Sequence, residues 1–101
     1  MAQFDLHRNR DGGAYPLLLD VQAELLSQLT TRIVVPLATR ERFAAPLARA
    51  TPVIEIDGVD YVLVVPLLAA VQRSILGKVV GNIAARRADI IGALDLVFTG
   101  S

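Results

Sequence analysis

The sequence has no cysteine and no tryptophan, a single histidine, and ten acidic side chains balanced by ten basic ones. The lack of cysteine excludes disulfide bridges and thiolate metal sites. The zero net charge argues against a nucleic-acid interface built from bulk positive charge. No long hydrophobic run exists either: the longest, 61–71, is interrupted by Pro66, whereas a helix needs about 20 residues to span a bilayer. Because residues 1–13 are polar and show no signal-peptide pattern, we expect a cytoplasmic protein.

Groups that could carry out catalysis are also scarce. His7 has no cysteine or carboxylate pair at metal-ligand spacing, and its place on a strand near the N-terminus predicts an ordinary surface residue. The segment GKVVG at 77–81 lacks the ends of a phosphate-binding loop. Acidic residues such as Asp20 and Asp57 fall at strand ends or turns, which predicts solvated or turn-forming roles. The pattern indicates no reaction and no cofactor or metal, and it favours a binding module.

Apolar side chains are abundant. They make up 53% of the 101 residues, and the mean hydropathy is +0.51. We expect one domain over 1–101, and a domain of this size has much surface relative to its volume. Because large exposed apolar patches mostly mark interfaces, the composition predicts self-association, most simply as a symmetric homodimer.

Alternating patterns and turn signals predict strands over the first two thirds of the chain. The predicted strands are 3–7, 15–21, 32–38, 52–56 and 61–65. The first two flank the charged loop 8–13 and form a hairpin with a mobile tip, and Asp57-Gly58 is the turn of a second hairpin. Pro36 is expected to end or bulge its strand, because proline cannot donate a ladder hydrogen bond.

Three further segments are less regular. Residues 22–31 suit a short helix, and 39–50 suit one or two helical turns that begin at Thr39. Residues 67–77 fit a helix or a strand by pattern alone, with a strand favoured in the second half.

From Asn82 the apolar period becomes 3.6, which predicts a helix. One face carries the apolar residues Ile83, Ile90, Leu94 and Val97. A second apolar shoulder, with Ile91 and Phe98, needs another packing partner, and Gly92 inside the helix would let another backbone approach closely. The predicted architecture is a mainly antiparallel, twisted small sheet or barrel with one C-terminal helix.

Five stretches, in this order, resemble the CcdB family of toxins from toxin–antitoxin pairs: QF at 3–4, YPLLLDVQ at 15–22, RIVVPLA at 32–38, TPVIEIDG at 51–58 and ADIIGALDLVFTG at 88–100. The resemblance implies an SH3-like barrel with a five-stranded antiparallel sheet, a small three-stranded sheet and a C-terminal helix. It implies a homodimer in which the two helices lie next to the two-fold axis. The implied function is non-enzymatic: the dimer binds the A subunit of DNA gyrase and traps the cleaved DNA–gyrase complex, and a CcdA-like antitoxin neutralises it.

The resemblance also implies two binding surfaces. The implied gyrase-binding residues are Glu24, Leu25, Leu26, Asp95, Phe98, Thr99, Gly100 and Ser101. The implied antitoxin-binding residues are Arg8, Arg10, Arg40, Arg42 and Arg49, whose charge suits an acidic disordered segment that folds on binding.

The end of the chain departs from the family pattern. Thr99 stands where a tryptophan is common, Asp95 where the family has an asparagine, and Ser101 replaces an aliphatic residue, whereas Phe98 and Gly100 match. A lost aromatic anchor of this kind costs on the order of 2 kcal/mol of binding energy.

Two alternatives stay open at this point. Endoribonuclease toxins share the barrel fold, and such an activity here would use Arg8, Arg10, His7 and Glu24. The other alternative is a diverged family member that keeps the dimer and the antitoxin contact but has lost toxicity.

Overall fold

The computed structural model describes residues 2–43 and 46–100, without the side chain of Ala48. Over these residues the chain forms β1 (Asp5–Asn9), β2 (Leu17–Asp20), β3 (Thr31–Thr39), β4 (Val53–Ile56), β5 (Val59–Leu63), β6 (Ala69–Gln72), β7 (Leu76–Asn82) and α1 (Arg87–Thr99). Short 3-10 turns lie at Glu24–Leu26, Ala48–Ala50, Val65–Leu67, Arg73–Ile75 and Ala84–Arg86. The predicted mainly β domain with one C-terminal helix is confirmed. In the described part of the chain, no helix combines the length and apolarity that a membrane crossing requires.

The strands form one antiparallel sheet in the order β4-β5-β3-β2-β1-β7, with β6 also paired to β3. The long strand β3 organises this sheet. One edge of β3 pairs with β2, while residues 31–34 pair with β6 and residues 37–39 pair with β5. Because one strand is shared in this way, the sheet curls strongly into a half-barrel.

Both predicted hairpins are present. In the second, Ile56 pairs with Val59, and Asp57 and Gly58 adopt φ of 52° and 81°. Positive φ at both central residues is the geometry of a type I′ turn, which matches the twist of the flanking strands. The tip of the first hairpin is held by Asn9, whose side-chain amide donates to the carbonyl of Tyr15 at 2.9 Å.

Pro36 does not end its strand, contrary to the prediction. Its carbonyl accepts the N–H of Val64 at 2.9 Å, so the proline nitrogen points to that same edge of β3. At this edge β3 passes from its pairing with β6 to its pairing with β5. The missing N–H therefore falls at a junction between two partner strands. The carbonyl of Val64, which lies opposite, accepts the N–H of Leu67 at 2.9 Å instead.

The segment 67–82 also differs from its prediction. A strand occupies the first half of 67–77, as β6, and the next strand, β7, continues to Asn82, so the helix begins five residues later than expected. The pattern alone did not show that β3 and β1 each supply an edge for pairing. At Gly77 the backbone comes so close that an added Cβ would lie 2.9 Å from the carbonyl oxygen of Arg8.

The start of β1 is tied to the end of β7. The side-chain amide of Asn82 donates to Oδ1 of Asp5 at 2.9 Å, and the N–H of Ala2 donates to Oδ2 at 2.8 Å. Partial burial acts to raise the pKa of Asp5, yet this pKa lies below its usual value, and the two hydrogen bonds are the largest of the effects that lower it.

The helix packs on the concave face of the sheet. Ile90 and Ala93 are buried there, against core residues such as Leu19, Leu37 and Leu63. The other residues of the predicted inner face, and Ile91 of the predicted shoulder, are partly buried against the same core. Phe98 stays 68% exposed. The half-barrel thus takes up most of the shoulder and leaves one large aromatic side chain at the helix end uncovered.

The opposite face of the sheet contains a buried ion pair. Asp20 and Arg32 are both 0% exposed, and Oδ2 of Asp20 accepts Nε of Arg32 at 3.0 Å and Nη2 at 2.6 Å. A solvated role of Asp20 is therefore wrong, whereas the predicted turn-forming role is confirmed: Oδ1 of Asp20 accepts the N–H of Gln22, two residues on, at 3.0 Å. Its carboxylate lies on the face that also buries Leu18 and Val34, and there the guanidinium replaces water as its partner.

We expect Arg32→Met to destabilise the fold by about 3–5 kcal/mol, because it leaves the Asp20 carboxylate buried without its charge partner. The free energy of unfolding in urea is the measurement, and Arg40→Met, at an exposed position, is the matched control. The double variant Asp20→Leu/Arg32→Met should recover much of the loss. A loss below about 1 kcal/mol in Arg32→Met would contradict a structural role for the pair.

Candidate partner-binding surfaces

His7 lies inside the protein, which corrects the prediction of a surface residue. It is 1% exposed, its Nδ1 lies 3.2 Å from the carbonyl oxygen of Gly77, and its Nε2 has no partner among the described residues. Both neighbours of β1 are full strands, β2 and β7, and together they enclose this ring. His7 therefore cannot reach a substrate in this conformation. No cluster of metal-ligating side chains occurs in the described ranges.

The loop between β2 and β3 presents leucines to solvent. Leu25 is 93% exposed, Leu29 50% and Leu26 45%, and Glu24 is exposed beside them. Leu25, Leu26 and Leu29 line one shallow depression together with Gln28. An apolar surface of this kind on a structured loop is typical of a protein-binding site.

A buried amide holds this leucine loop in place. Gln22 is 3% exposed, its Nε2 donates to the carbonyl of Leu26 at 2.8 Å, and its Oε1 accepts the N–H of Ile33 at 3.0 Å. The N–H of Gln22 donates to Oδ1 of Asp20 at 3.0 Å. The buried ion pair with Arg32 therefore orients Gln22, and Gln22 orients the loop.

The end of α1 is a capped helix terminus. Gly100 has φ of 76° and donates its N–H to the carbonyl of Leu96 at 3.0 Å, as in a left-handed helix cap. The hydroxyl of Thr99 donates to the carbonyl of Asp95 at 2.7 Å. Asp95 and Phe98 are exposed. Ser101 lies outside the described residues.

The two parts of the predicted gyrase-binding surface lie on different elements. Glu24–Leu26 follow β2, whereas 95–100 end the helix. Leu25, Leu26 and Phe98 belong to none of the buried apolar clusters of the described chain. Both parts are therefore accessible to a partner.

All five arginines of the predicted antitoxin surface are exposed, and they occupy three places. Arg8 and Arg10 stand at the end of β1, Arg40 and Arg42 in the turn after β3, and Arg49 in the 3-10 turn before β4. Within the described ranges, none of these five forms a salt bridge.

A small apolar cluster links the first two of these places. Tyr15, next to the first hairpin tip, and Phe43, in the turn after β3, both pack on the cluster of Ala38, Val62 and Val64. The tip and the turn therefore pack against the same side of the sheet.

Sequence reasoning missed the residues that position the leucine loop. Asp20, Gln22 and Arg32 attracted no functional interpretation, although Asp20 ends and Arg32 begins wholly apolar runs on consecutive predicted strands. Opposite charges next to runs of that kind are a usable sign of a buried pair, since solvated charges usually alternate with apolar residues on a strand.

We expect Gln22→Met to loosen the leucine loop, because it removes both side-chain hydrogen bonds and leaves the Leu26 carbonyl without its donor. The loss of stability should be about 1–3 kcal/mol. Amide hydrogen exchange of residues 24–29 should accelerate, while exchange in β2 and β3 away from the loop stays slow. Gln28→Met, at an exposed position of the same loop, is the control. Unchanged exchange at 24–29 would refute the positioning role.

Comparisons with known proteins agree with this architecture. A family model described as CcdB protein matches residues 3–100. A solved "Endoribonuclease in complex with its cognate antitoxin from Mycobacterial species" superposes with a TM-score of 0.77 at 18% identity, over 96% of this chain and 93% of that chain. "Mycobacterium tuberculosis toxin MazF-mt6" superposes with a TM-score of 0.73 at 16% identity, over 93% and 95%. At these identities the structural likeness concerns the fold alone, whereas the family model covers nearly the whole sequence. The chain belongs to the CcdB family, whose members are toxins of toxin–antitoxin modules.

Proposed function

We propose that this chain is a toxin that acts by binding: a cytoplasmic homodimer engages the A subunit of DNA gyrase, traps the cleaved DNA–gyrase complex, and is neutralised by a CcdA-like antitoxin. Family membership supports this proposal. The structural observation that carries it is the exposure of Leu25 and Phe98, 93% and 68%. Both are large apolar side chains at ordered positions, where they gain contact area only from a partner.

A homodimer is supported by the apolar surface that a single chain leaves open. Ile33 and Leu67 are 37% and 48% exposed, in addition to the leucines and the phenylalanine already described. A second copy would reduce this exposure. It would also duplicate the leucine loop and the helix end, so that one gyrase-binding surface can draw on both stretches.

The residues at the helix end that depart from the family pattern change the side chains available to contact gyrase. Phe98 supplies the aromatic contact area there, and Thr99, whose hydroxyl bonds to the carbonyl of Asp95, adds little. The exposed carboxylate of Asp95 favours a gyrase surface that presents an arginine or a lysine. Binding therefore depends on Phe98 more than in relatives with a tryptophan at position 99.

The endoribonuclease alternative has the fold likeness in its favour, but its expected catalytic set is not assembled. Of its four residues, His7 is buried, while Arg8, Arg10 and Glu24 are exposed on two different loops or strand ends. General acid–base catalysis needs a proton-transfer group within hydrogen-bond reach of the substrate. The burial of His7 therefore favours the binding mechanism.

Phe98→Ala should weaken binding to a purified gyrase A fragment at least tenfold, which is about 1.4 kcal/mol, because it removes the main aromatic contact. Isothermal titration measures the affinity, and trapping of cleaved plasmid DNA by gyrase measures the poisoning. Val79→Ala, which truncates another exposed apolar side chain, should leave both unchanged. If the unmodified dimer neither binds the fragment nor traps DNA, the gyrase proposal fails; harmless expression in bacteria would then favour the diverged, non-toxic member.

We expect the purified protein to leave single-stranded RNA intact, since His7, the one imidazole of the sequence, is buried. Gel electrophoresis of a labelled RNA, with and without the protein, tests this. Cleavage that disappears in Glu24→Gln but persists in Glu41→Gln would establish the endoribonuclease alternative.

A further inference from the structure

A turn just before β1 holds a bulky residue in a strained conformation. The N–H of Asp5 donates to the carbonyl of Ala2 at 3.1 Å, which closes a four-residue turn over 2–5. Phe4, the third residue of this turn, has a φ of 69°. A positive φ at the third position is the geometry of a type II turn, and it favours glycine or asparagine there. A left-handed backbone costs free energy for a side chain as bulky as phenylalanine, so other contacts must hold it.

Both backbone groups and the ring of Phe4 are occupied in this conformation. Its N–H donates to the carbonyl of Asp20 at 2.6 Å, and its carbonyl accepts the N–H of Ile83 at 3.0 Å. The residue is 2% exposed and belongs to the core cluster that also contains Ile90 of α1. The turn therefore joins the end of β2 to the segment that leads into the helix.

The first residue of α1 closes the turn from outside. Cζ of Arg87 lies 5.6 Å from the centre of the Phe4 ring, within the range of a cation–π interaction. Nη1 of the same arginine donates to Oε1 of Gln3 at 3.4 Å, which is a long hydrogen bond. Nε2 of Gln3 donates in turn to the carbonyl of Val21 at 3.2 Å. Because Arg87 is exposed, its contacts can be removed by substitution without opening the core.

The turn also contacts the base of the leucine loop. The chain leaves β2 through Asp20 and Val21, and the carbonyls of both residues accept hydrogen bonds from the turn. Gln22, which orients the loop, is the next residue along the chain. A series of contacts therefore runs from the start of α1 through the turn to the leucine loop.

We infer that the turn at 2–5 is a strained latch, closed by Arg87, that holds the leucine loop in its binding conformation relative to α1. When the cation leaves the ring, the turn relaxes to a negative φ at Phe4, which withdraws the Phe4 N–H from Asp20. The Gln3 side chain loses its arginine partner at the same time. Arg87 is thus a positioning residue that acts on the loop through other residues. The binding role of the loop rests on the proposed function, whereas the latch is a property of the isolated chain.

The substitution that tests the latch is Arg87→Met, which keeps a long side chain and removes the charge and the donor. Amide hydrogen exchange of Phe4, and of the hydrogen-bonded amides within residues 24–29, should accelerate about tenfold because the latch opens. Exchange at Val34 and Val35 in the centre of β3 should stay slow. A looser loop must be ordered on binding, so the affinity for the gyrase A fragment should fall about threefold.

Three further variants separate the cation from other effects. Arg87→Lys keeps a cation near the ring and should stay within about threefold of the unmodified exchange rates. Arg86→Met removes the neighbouring arginine at the same helix start, and as the matched control it should leave exchange in the turn and the loop unchanged. Phe4→Leu opens the latch from the other side, so adding Arg87→Met to it should cause no further acceleration. Should Phe4→Leu fail to fold, the arginine variants by themselves decide the question.

Four results would overturn the inference. They are unchanged exchange in Arg87→Met, equal acceleration in Arg86→Met, equal acceleration in Arg87→Lys, and additive effects of Phe4→Leu and Arg87→Met. Weaker gyrase binding by Arg87→Met with unchanged exchange would show a direct contact of Arg87 with gyrase and would also reject the latch. If the unmodified protein does not bind the fragment, the gyrase target is rejected, while the exchange measurements still decide the latch.

Discussion

The contact between the Asp20 carboxylate and the Arg32 guanidinium, sealed from water between two strands, is the constraint on which much of this structure depends. A buried pair of charges is stabilised further when its other hydrogen-bonding groups are also occupied. Here the second oxygen of Asp20 accepts the N–H of Gln22, and the Gln22 side chain then bonds to the leucine loop and to β3. On the other side of the pair, Nη1 of Arg32 has no partner among the described residues. The pair consequently fixes the register of β2 on β3 and the conformation of the loop that leaves β2. In this way a buried electrostatic interaction determines the shape of an exposed apolar surface.

The strand β3 has a comparable role for the sheet. It is long enough to serve two partners on one edge, and Pro36 lies where the partner changes. A proline that would weaken an ordinary central strand is therefore compatible with this one. The resulting curl gives the half-barrel a concave face that α1 fills with Ile90 and Ala93. Because the helix lies across the sheet in this manner, its last turn projects Phe98 into solvent.

The division of side chains between the interior and the surface explains why a binding function is favoured for this member of a toxin family. The imidazole that could have served in proton transfer is buried, whereas large apolar and basic side chains are exposed on ordered elements. The affinity of the proposed binding surfaces would come from burying Leu25 and Phe98 and from pairing arginines with acidic groups. Each of these interactions requires a partner of matching shape and charge. None requires a reaction on this chain.

Local pattern was enough to predict both hairpins, the C-terminal helix, the mainly antiparallel architecture and the surplus of apolar surface, because turn chemistry and apolar period act over a few residues. The resemblance of five short stretches to the CcdB family predicted the membership of the chain in that family. The continuation of β3 through Pro36, the start of α1 at Arg87, and the burial of His7 and Asp20 depended on which strands lie side by side. Pairing between residues far apart in sequence decides those features, since a proline, a histidine or an aspartate is acceptable inside a sheet only when its neighbours complete its hydrogen bonds or enclose its ring.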